Sequence, residues 1–237
     1  MAAAVDSNVV GYNTVGVLTD DMTMIGINFD EVGGGGLPIQ KALTGDFNGG
    51  ASFGVADNLI VWTSAGYKNY YYGVWNNPTY PEWDNLWYDL DTGNEATYIL
   101  QPGDALWYVR RGSATSVSVA GEVLATGGSV SILANDMTMF SNTHPVPVPL
   151  NGSGGLNVQN PTGGASFGVA DNLIIWTPSG YKNYYYGVWN NPTYPEWDNL
   201  WYDLDTGNET AVSLEVGQAA WYVRKGAATT ITFTSPL

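Results

Sequence analysis

A duplication constrains this 237-residue chain more than any other feature of its sequence. Residues 50–95 return as residues 164–209 at a constant offset of 114, and only three positions differ: Val61/Ile175, Ser64/Pro178 and Ala65/Ser179. The match continues more weakly on both sides. "LWYVRRGSATSVSV" (106–119) corresponds to "AWYVRKGAATTITF" (220–233), and "DMTM" at Asp21–Met24 reappears at Asp136–Met139, offset by 115. A fixed period of this length reads as one structural unit made twice. The expected units are residues 1–123, with an N-terminal strand, and residues 124–237, divided near "AGEVLATGG" (120–128).

Local pattern makes each unit almost entirely β. "NLIVWT" (58–63), "YKNYYYGVW" (67–75), "NLWYDL" (85–90), "ALWYVRR" (105–111) and "TSVSVAG" (115–121) are short runs of β-branched and aromatic residues. "SAG", "NNP", "DTGN", "QPGD" and "RGSA" separate them, and such clusters make turns. The one helical turn is expected in "LPIQKAL" (37–43), with "LNVQNP" (156–161) as a counterpart broken by Pro161. "VGGGG" (32–36) and "NGSGG" (151–155) read as loops at equivalent places. Closely spaced strands with little helix predict a β-sandwich or small β-barrel in each unit.

Charge narrows the partners. Seven basic residues face 22 acidic ones, for a net charge of −15. Such a surface repels phosphate backbones, which argues against nucleic acid. No apolar run reaches the ~20 residues a membrane helix needs. The chain has no cysteine, so thiolate sites and Cys nucleophiles are excluded. "AAA" before Val5 is what a small-residue cleavage would leave, with Met1 as an added start. A secreted protein of the extracellular space or bacterial cell surface is expected.

"TMIGINFDEVGGG", "TMFSNTHPVPVPLN", "LIVWTSAGYKNY" and "LQPGDALWYV" resemble a module that recurs in uncharacterised exported proteins of Verrucomicrobia, Lentisphaerae and their relatives. "SNVVGYNTV" is similar to the opening of many of them. The chain departs from that pattern at Ala105, where a glycine is usual, and at Val216, where a proline is usual. The resemblance implies an exported β-module present twice, and it brings no activity with it.

The duplicated segment "YKNYYYGVWNNPTYPEWDNLWYDLDTGNE" (67–95) is unusually aromatic. Alternation puts Tyr67, Asn69, Tyr71 and Trp75 on one face of a strand, and Lys68, Tyr70, Tyr72 and Val74 on the other. Rings on both faces exceed what a half-buried strand needs. Core and interface packing is the simplest use for them. A contact surface for a ligand or partner is the sharper one. Its candidates are Tyr71, Trp75, Tyr80, Glu82, Trp83, Asp84 and Trp87, repeated as Tyr185, Trp189, Tyr194, Glu196, Trp197, Asp198 and Trp201. Exposed Trp and Tyr faces stack on sugar rings, and they also anchor protein interfaces.

"DLDTGNE" suggests calcium. Asp89, Asp91 and Glu95, with Asp203, Asp205 and Glu209, place oxygen ligands around a permissive glycine, though in a shorter loop than an EF-hand. A turn tip with solvated carboxylates is the plainer account, and no cofactor is required. Catalytic patterns are poor. His144 is the single histidine and sits in the Pro-rich "NTHPVPVP", which suits a structural role better than a triad. Carboxylates two apart on a strand, such as Glu82/Asp84 or Asp89/Asp91, share one face rather than flanking a cleft. The N-terminal stretch 7–17 is a strand able to pair with its own unit or with a neighbouring molecule's open edge. The reading is therefore non-catalytic: a structural, self-assembling protein with itself as partner. The alternative is an extracellular polysaccharide-binding protein, followed by a glycan-active hydrolase.

Overall fold

A computed structural model describes residues 8–237. The cleavage-remnant reading of residues 1–5 and the first residue of the N-terminal stretch lie outside that range.

Ten strands in the first half are matched one for one in the second. In the first unit they are β1 (Val10–Val17), β2 (Met22–Gly26), β3 (Leu37–Pro38), β4 (Thr44–Gly45) and β5 (Asn58–Thr63), then β6 (Gly66–Gly73), β7 (Leu86–Asp89), β8 (Ile99–Leu100), β9 (Ala105–Val109) and β10 (Thr115–Glu122). The second unit has β11 (Gly128–Ile132), β12 (Met137–Ser141), β13 (Val148–Pro149), β14 (Asn157–Val158) and β15 (Asn172–Thr177), then β16 (Gly180–Gly187), β17 (Leu200–Asp203), β18 (Ser213–Leu214), β19 (Ala219–Val223) and β20 (Thr229–Phe233). Sheet order is β2-β9-β5-β6-β7, β1-β10-β4 and β3-β8, and the second unit repeats it as β12-β19-β15-β16-β17, β11-β20-β14 and β13-β18. Among the described residues no sheet mixes strands from the two halves. The fold is all-β.

Each unit is a sandwich because alternation buries one face of each larger sheet against the other. In the first core, Leu59, Val61, Tyr70, Trp87, Leu106 and Tyr108 of the five-stranded sheet meet Val17, Val117 and Val119 of the three-stranded one. The second core repeats this with Leu173, Ile175, Tyr184, Trp201 and Tyr222 against Ile132, Ile231 and Phe233. Burying a large aromatic removes ~150–250 Å² from water, so these rings carry much of the core.

A buried ion pair ties each sandwich to its loops. The Asp57 carboxylate takes hydrogen bonds from Arg110 Nη1 (2.6 Å), Tyr108 OH (2.5 Å) and the main-chain N–H groups of Asn48 and Arg111 (both 2.7 Å). Asp171 does the same with Arg224, Tyr222, Thr162 N and Lys225 N. Four donors on one buried acid offset the cost of taking its charge out of water. Burial, with Asp57 beside it, pushes the Tyr108 phenol well above its ordinary range.

The two units join through a pseudo-symmetric seam. Gly26 N–H donates to Gly217 O and Ser141 N–H donates to Gly103 O, both at 2.8 Å. Gly26 is bare for a reason: a Cβ there would lie 2.5 Å from that of Ser141. Around this contact Trp62 meets Trp221 edge-on at 5.2 Å, and Trp107 meets Trp176 at 5.3 Å. Met24, Met139, Ala105 and Ala219 fill the space between. His144, fully buried, ties the segment entering the second unit to that unit. Its Nε2 lies 3.0 Å from Thr126 O, and its Nδ1 shares a hydrogen bond with the Thr143 hydroxyl at 2.9 Å.

Pairing corrects part of the expected correspondence. The helical turn is present as α1 (Ile39–Ala42), directly after β3. Its counterpart is the loop directly after β13, beginning at Leu150, not "LNVQNP". Likewise "VGGGG" precedes β3, whereas "NGSGG" follows β13, so they are not equivalent. Glycine runs look alike in sequence, but the ladders Leu37↔Leu100 and Val148↔Leu214 decide the match.

Candidate functional site

The duplicated aromatic segment builds one surface hollow in each unit. Strand β6 pairs with β7, whose Leu86 and Tyr88 line the hollow. In β6, Tyr70 is buried and Tyr72 packs on the core, while Tyr71 faces outward. Tyr71 pairs with Tyr88 and Tyr72 with Trp87, so β7 inherits the same alternation. Trp87 therefore turns inward at 1% exposure, and Trp201 does likewise. These two were expected at the contact surface and belong to the core instead. Register is the cause: each side chain follows the face of its cross-strand partner.

The partner on the other face, Tyr88, was not among the expected site residues; it lies at the base of the hollow, 8% exposed. Trp75 stands on it edge-to-face, ring centres 4.7 Å apart and planes at 86°. The repeat does the same with Trp189 and Tyr202 at 4.6 Å and 81°. Gly73 and Gly187 make room, since a Cβ at either would collide with the Trp75 or Trp189 ring. Tyr88 OH then donates to Trp83 O at 2.8 Å, fixing the short 3₁₀ turn Pro81–Trp83 above it.

That turn presents Tyr80 and Trp83. Their rings stack face to face at 4.2 Å and 8°, and those of Tyr194 and Trp197 at 4.2 Å and 7°. Tyr80 stays 43% exposed and Trp83 45%. Pre-stacking two large rings in water holds a flat aromatic surface open and in place.

The expected acidic residues divide into two groups. Asp84 is spent on the scaffold: its carboxylate accepts from Trp75 N (2.6 Å) and Asn76 N (3.1 Å), holding Asn76 at a left-handed φ of 52°. Asp198 repeats those bonds to Trp189 and Asn190. Asp89 Oδ1 accepts from Asp91 N (2.9 Å) and Thr92 N (3.0 Å), which closes its own turn before Gly93, and Asp203 does so for Asp205 and Thr206. Asp205 also pairs with Lys182 at 3.3 Å. Among the described residues no group of three His, Cys, Asp or Glu is placed to hold a metal ion, so Asp89, Asp91 and Glu95 do not converge, nor do Asp203, Asp205 and Glu209. Glu82, Glu95, Glu196 and Glu209 form the second group. Their carboxylates make no hydrogen bond or ion pair among the described residues.

The first hollow, about 760 Å³, is lined by Trp75, Trp83 and Tyr88 with Glu82, Asn94 and Glu95. Its twin, about 450 Å³, is lined by Trp189, Trp197 and Tyr202 with Asn208 and Glu209. Burial first, then carboxylates that include Glu95, Asp84 and Glu82, pushes the Tyr88 phenol above its ordinary range. Tyr202 is shifted the same way. The exposed Trp83 ring can stack on a flat ligand while the free carboxylates and amide bond its hydroxyls. Comparison with protein-family models, curated proteins and solved structures finds no match for this chain.

Proposed function

We propose that the protein is a non-catalytic, bivalent binding protein of the bacterial extracellular space or cell surface, whose two aromatic hollows take a carbohydrate. The observation that carries this reading is the exposed Tyr80–Trp83 stack beside the Trp75–Tyr88 corner, built again as Tyr194–Trp197 and Trp189–Tyr202. Packing does not account for rings held in water at such exposure, because the core already has Trp87 and Trp201. A sugar ring is flat and apolar on its faces and studded with hydroxyls at its edge. It stacks on tryptophan while the Asn94 amide donates and accepts, and the Glu95 carboxylate accepts, around its rim. Two sites on one chain favour a polymer over a monosaccharide by avidity.

Trp fluorescence and calorimetric titration against a panel of polysaccharides test this. Binding is expected for the native protein, with at least tenfold loss in the double variant Trp83→Ala/Trp197→Ala. A panel with no response sinks the reading, and release of reducing ends from a bound glycan sinks its non-catalytic part.

Self-association is the second reading, and a separate observation favours it. Strand β1 is an edge strand, paired among the described residues with β10 alone, and its Val10 and Tyr12 are 63% and 77% exposed. An open, apolar edge is a template for another strand. Light scattering after size exclusion decides it: a concentration-dependent mass that Tyr12→Lys abolishes supports assembly, and a monomer throughout rejects it.

A further inference from the structure

The hollows also differ from a neutral sugar platform in their charge. The chain has seven basic residues, Lys41, Lys68, Arg110, Arg111, Lys182, Arg224 and Lys225, and none of them lines either hollow. Arg110 and Arg224 are committed to the buried acids Asp57 and Asp171, and Lys182 to Asp205. Glu82 and Glu95 thus line a hollow with the rings of Trp75, Trp83 and Tyr88, the last only 8% exposed, with no counter-charge among the described residues. Trp75 and Tyr88 meet at 86°, so two aromatic walls form a corner rather than a single flat shelf. Aromatic walls at right angles with adjacent carboxylates attract a cation twice, through the ring quadrupoles and through direct charge. An anionic ligand is repelled by the same groups and by a net charge of −15.

We propose that each hollow recognises a protonated amine carried on a sugar, as in a deacetylated amino-sugar polymer. The proposal deepens the carbohydrate-binding reading and rests on it. The ammonium sits at the Trp75–Tyr88 corner beside Glu95, and the sugar face lies toward Trp83. Asn94, whose side-chain amide is free among the described residues, bonds the ring hydroxyls. The second unit repeats this with Trp189, Tyr202, Glu209, Trp197 and Asn208.

Calorimetry with a glucosamine tetramer and its N-acetylated counterpart, at about pH 6 where a ligand amine is protonated, tests it. The two probes share a backbone and differ in charge. At least tenfold tighter binding of the amine form is expected, weakening as salt is raised. The fourfold variant Glu82→Gln/Glu95→Gln/Glu196→Gln/Glu209→Gln is expected to lose that preference while keeping its melting temperature, since these side chains hold no structural bond. Equal or tighter binding of the acetylated form overturns the amine assignment and leaves carbohydrate binding standing. So does an unchanged preference in the fourfold variant. Binding of tetramethylammonium without the glucosamine tetramer overturns the sugar part. No response to any glycan overturns both readings together.

Discussion

The two units reach the same clamp from different backbones. In the first, α1 presents Gln40, whose amide donates to Trp87 O (2.8 Å) and Ala96 O (3.1 Å) and accepts from Trp87 N (2.9 Å). In the second no helix forms, and a residue one methylene shorter does the same work. Asn151 donates to Trp201 O (2.9 Å) and Thr210 O (3.0 Å) and accepts from Trp201 N (2.7 Å). The surroundings differ more. Phe47 packs on Tyr72 and Trp87 at 4.9 and 5.3 Å, but Pro161 stands at its place in the second unit. In the second unit a hollow of about 490 Å³ opens against Tyr186 and Trp201. What both units keep is an amide at one point in space, holding the strand behind the aromatic hollow. The scaffold can lose a helix and a ring as long as that strand stays anchored.

The largest expected effect probes what the units share. Asp57→Asn leaves Arg110 buried without its counter-charge, and breaking a buried pair this way costs ~3–5 kcal/mol. Asp171→Asn is expected to cost the same, measured by urea denaturation. A gap between the two of more than about 1.4 kcal/mol, tenfold in the unfolding constant, would break the equivalence of the scaffolds. Phe47→Ala probes what they do not share. Half-buried, that ring is expected to contribute about 2 kcal/mol, below the 3–5 of a fully buried phenylalanine. Pro161→Ala, with no ring to lose, should stay within about 1 kcal/mol.

Removing either clamp sharpens the comparison further. Gln40→Ala and Asn151→Ala each orphan the main chain of a buried tryptophan, at ~1–3 kcal/mol. Equal losses show that the amide alone matters, and a larger loss at Gln40 shows that α1 adds to it. Trp83→Ala is the mildest for stability, within about 0.5 kcal/mol for an exposed side chain. A larger loss would make the stack a structural element.

Alkaline titration treats both units alike. Burial raises the phenols of Tyr108 and Tyr222 above their ordinary range, and Tyr70 and Tyr184 follow. Unfolded tyrosines lose their protons near pH ~10 while the native ones hold theirs, so above that the native state binds more protons. Stability from these groups is present in full below pH ~10 and declines as pH rises further. Melting temperature should hold to about pH 9 and then drop, and a flat profile to pH ~11 would contradict the burial of these rings.

Much of the fold was legible because alternation and turn clusters are local. "NLIVWT" is β5 to the residue, and "LPIQKAL" contains α1. Of the expected contact residues, Trp75, Tyr80, Glu82 and Trp83 do lie at the surface hollow or its rim. Trp87 does not, and Tyr88 does, because which of two adjacent rings faces out depends on the register against β6. Asp84 and Asp89 looked like free ligands, yet both are consumed by nearby main-chain N–H groups. Asp57, the most connected acid in the first unit, carried no local signal at all. Its partners Arg110 and Tyr108 lie more than 50 residues away along the chain.

Two properties were readable in the string alone: the chain is almost all β, and one unit is made twice. Period-two patterning and a 114-residue repeat are properties of the string, and no distant contact can erase them. Which rings are core and which are surface, which acids are staples and which stay free, and the amide clamp that two backbones share are all settled by the fold. Those outcomes depend on register and on donors far apart in sequence. A side chain's chemistry is written at its own position, but its availability is settled by its neighbours in space.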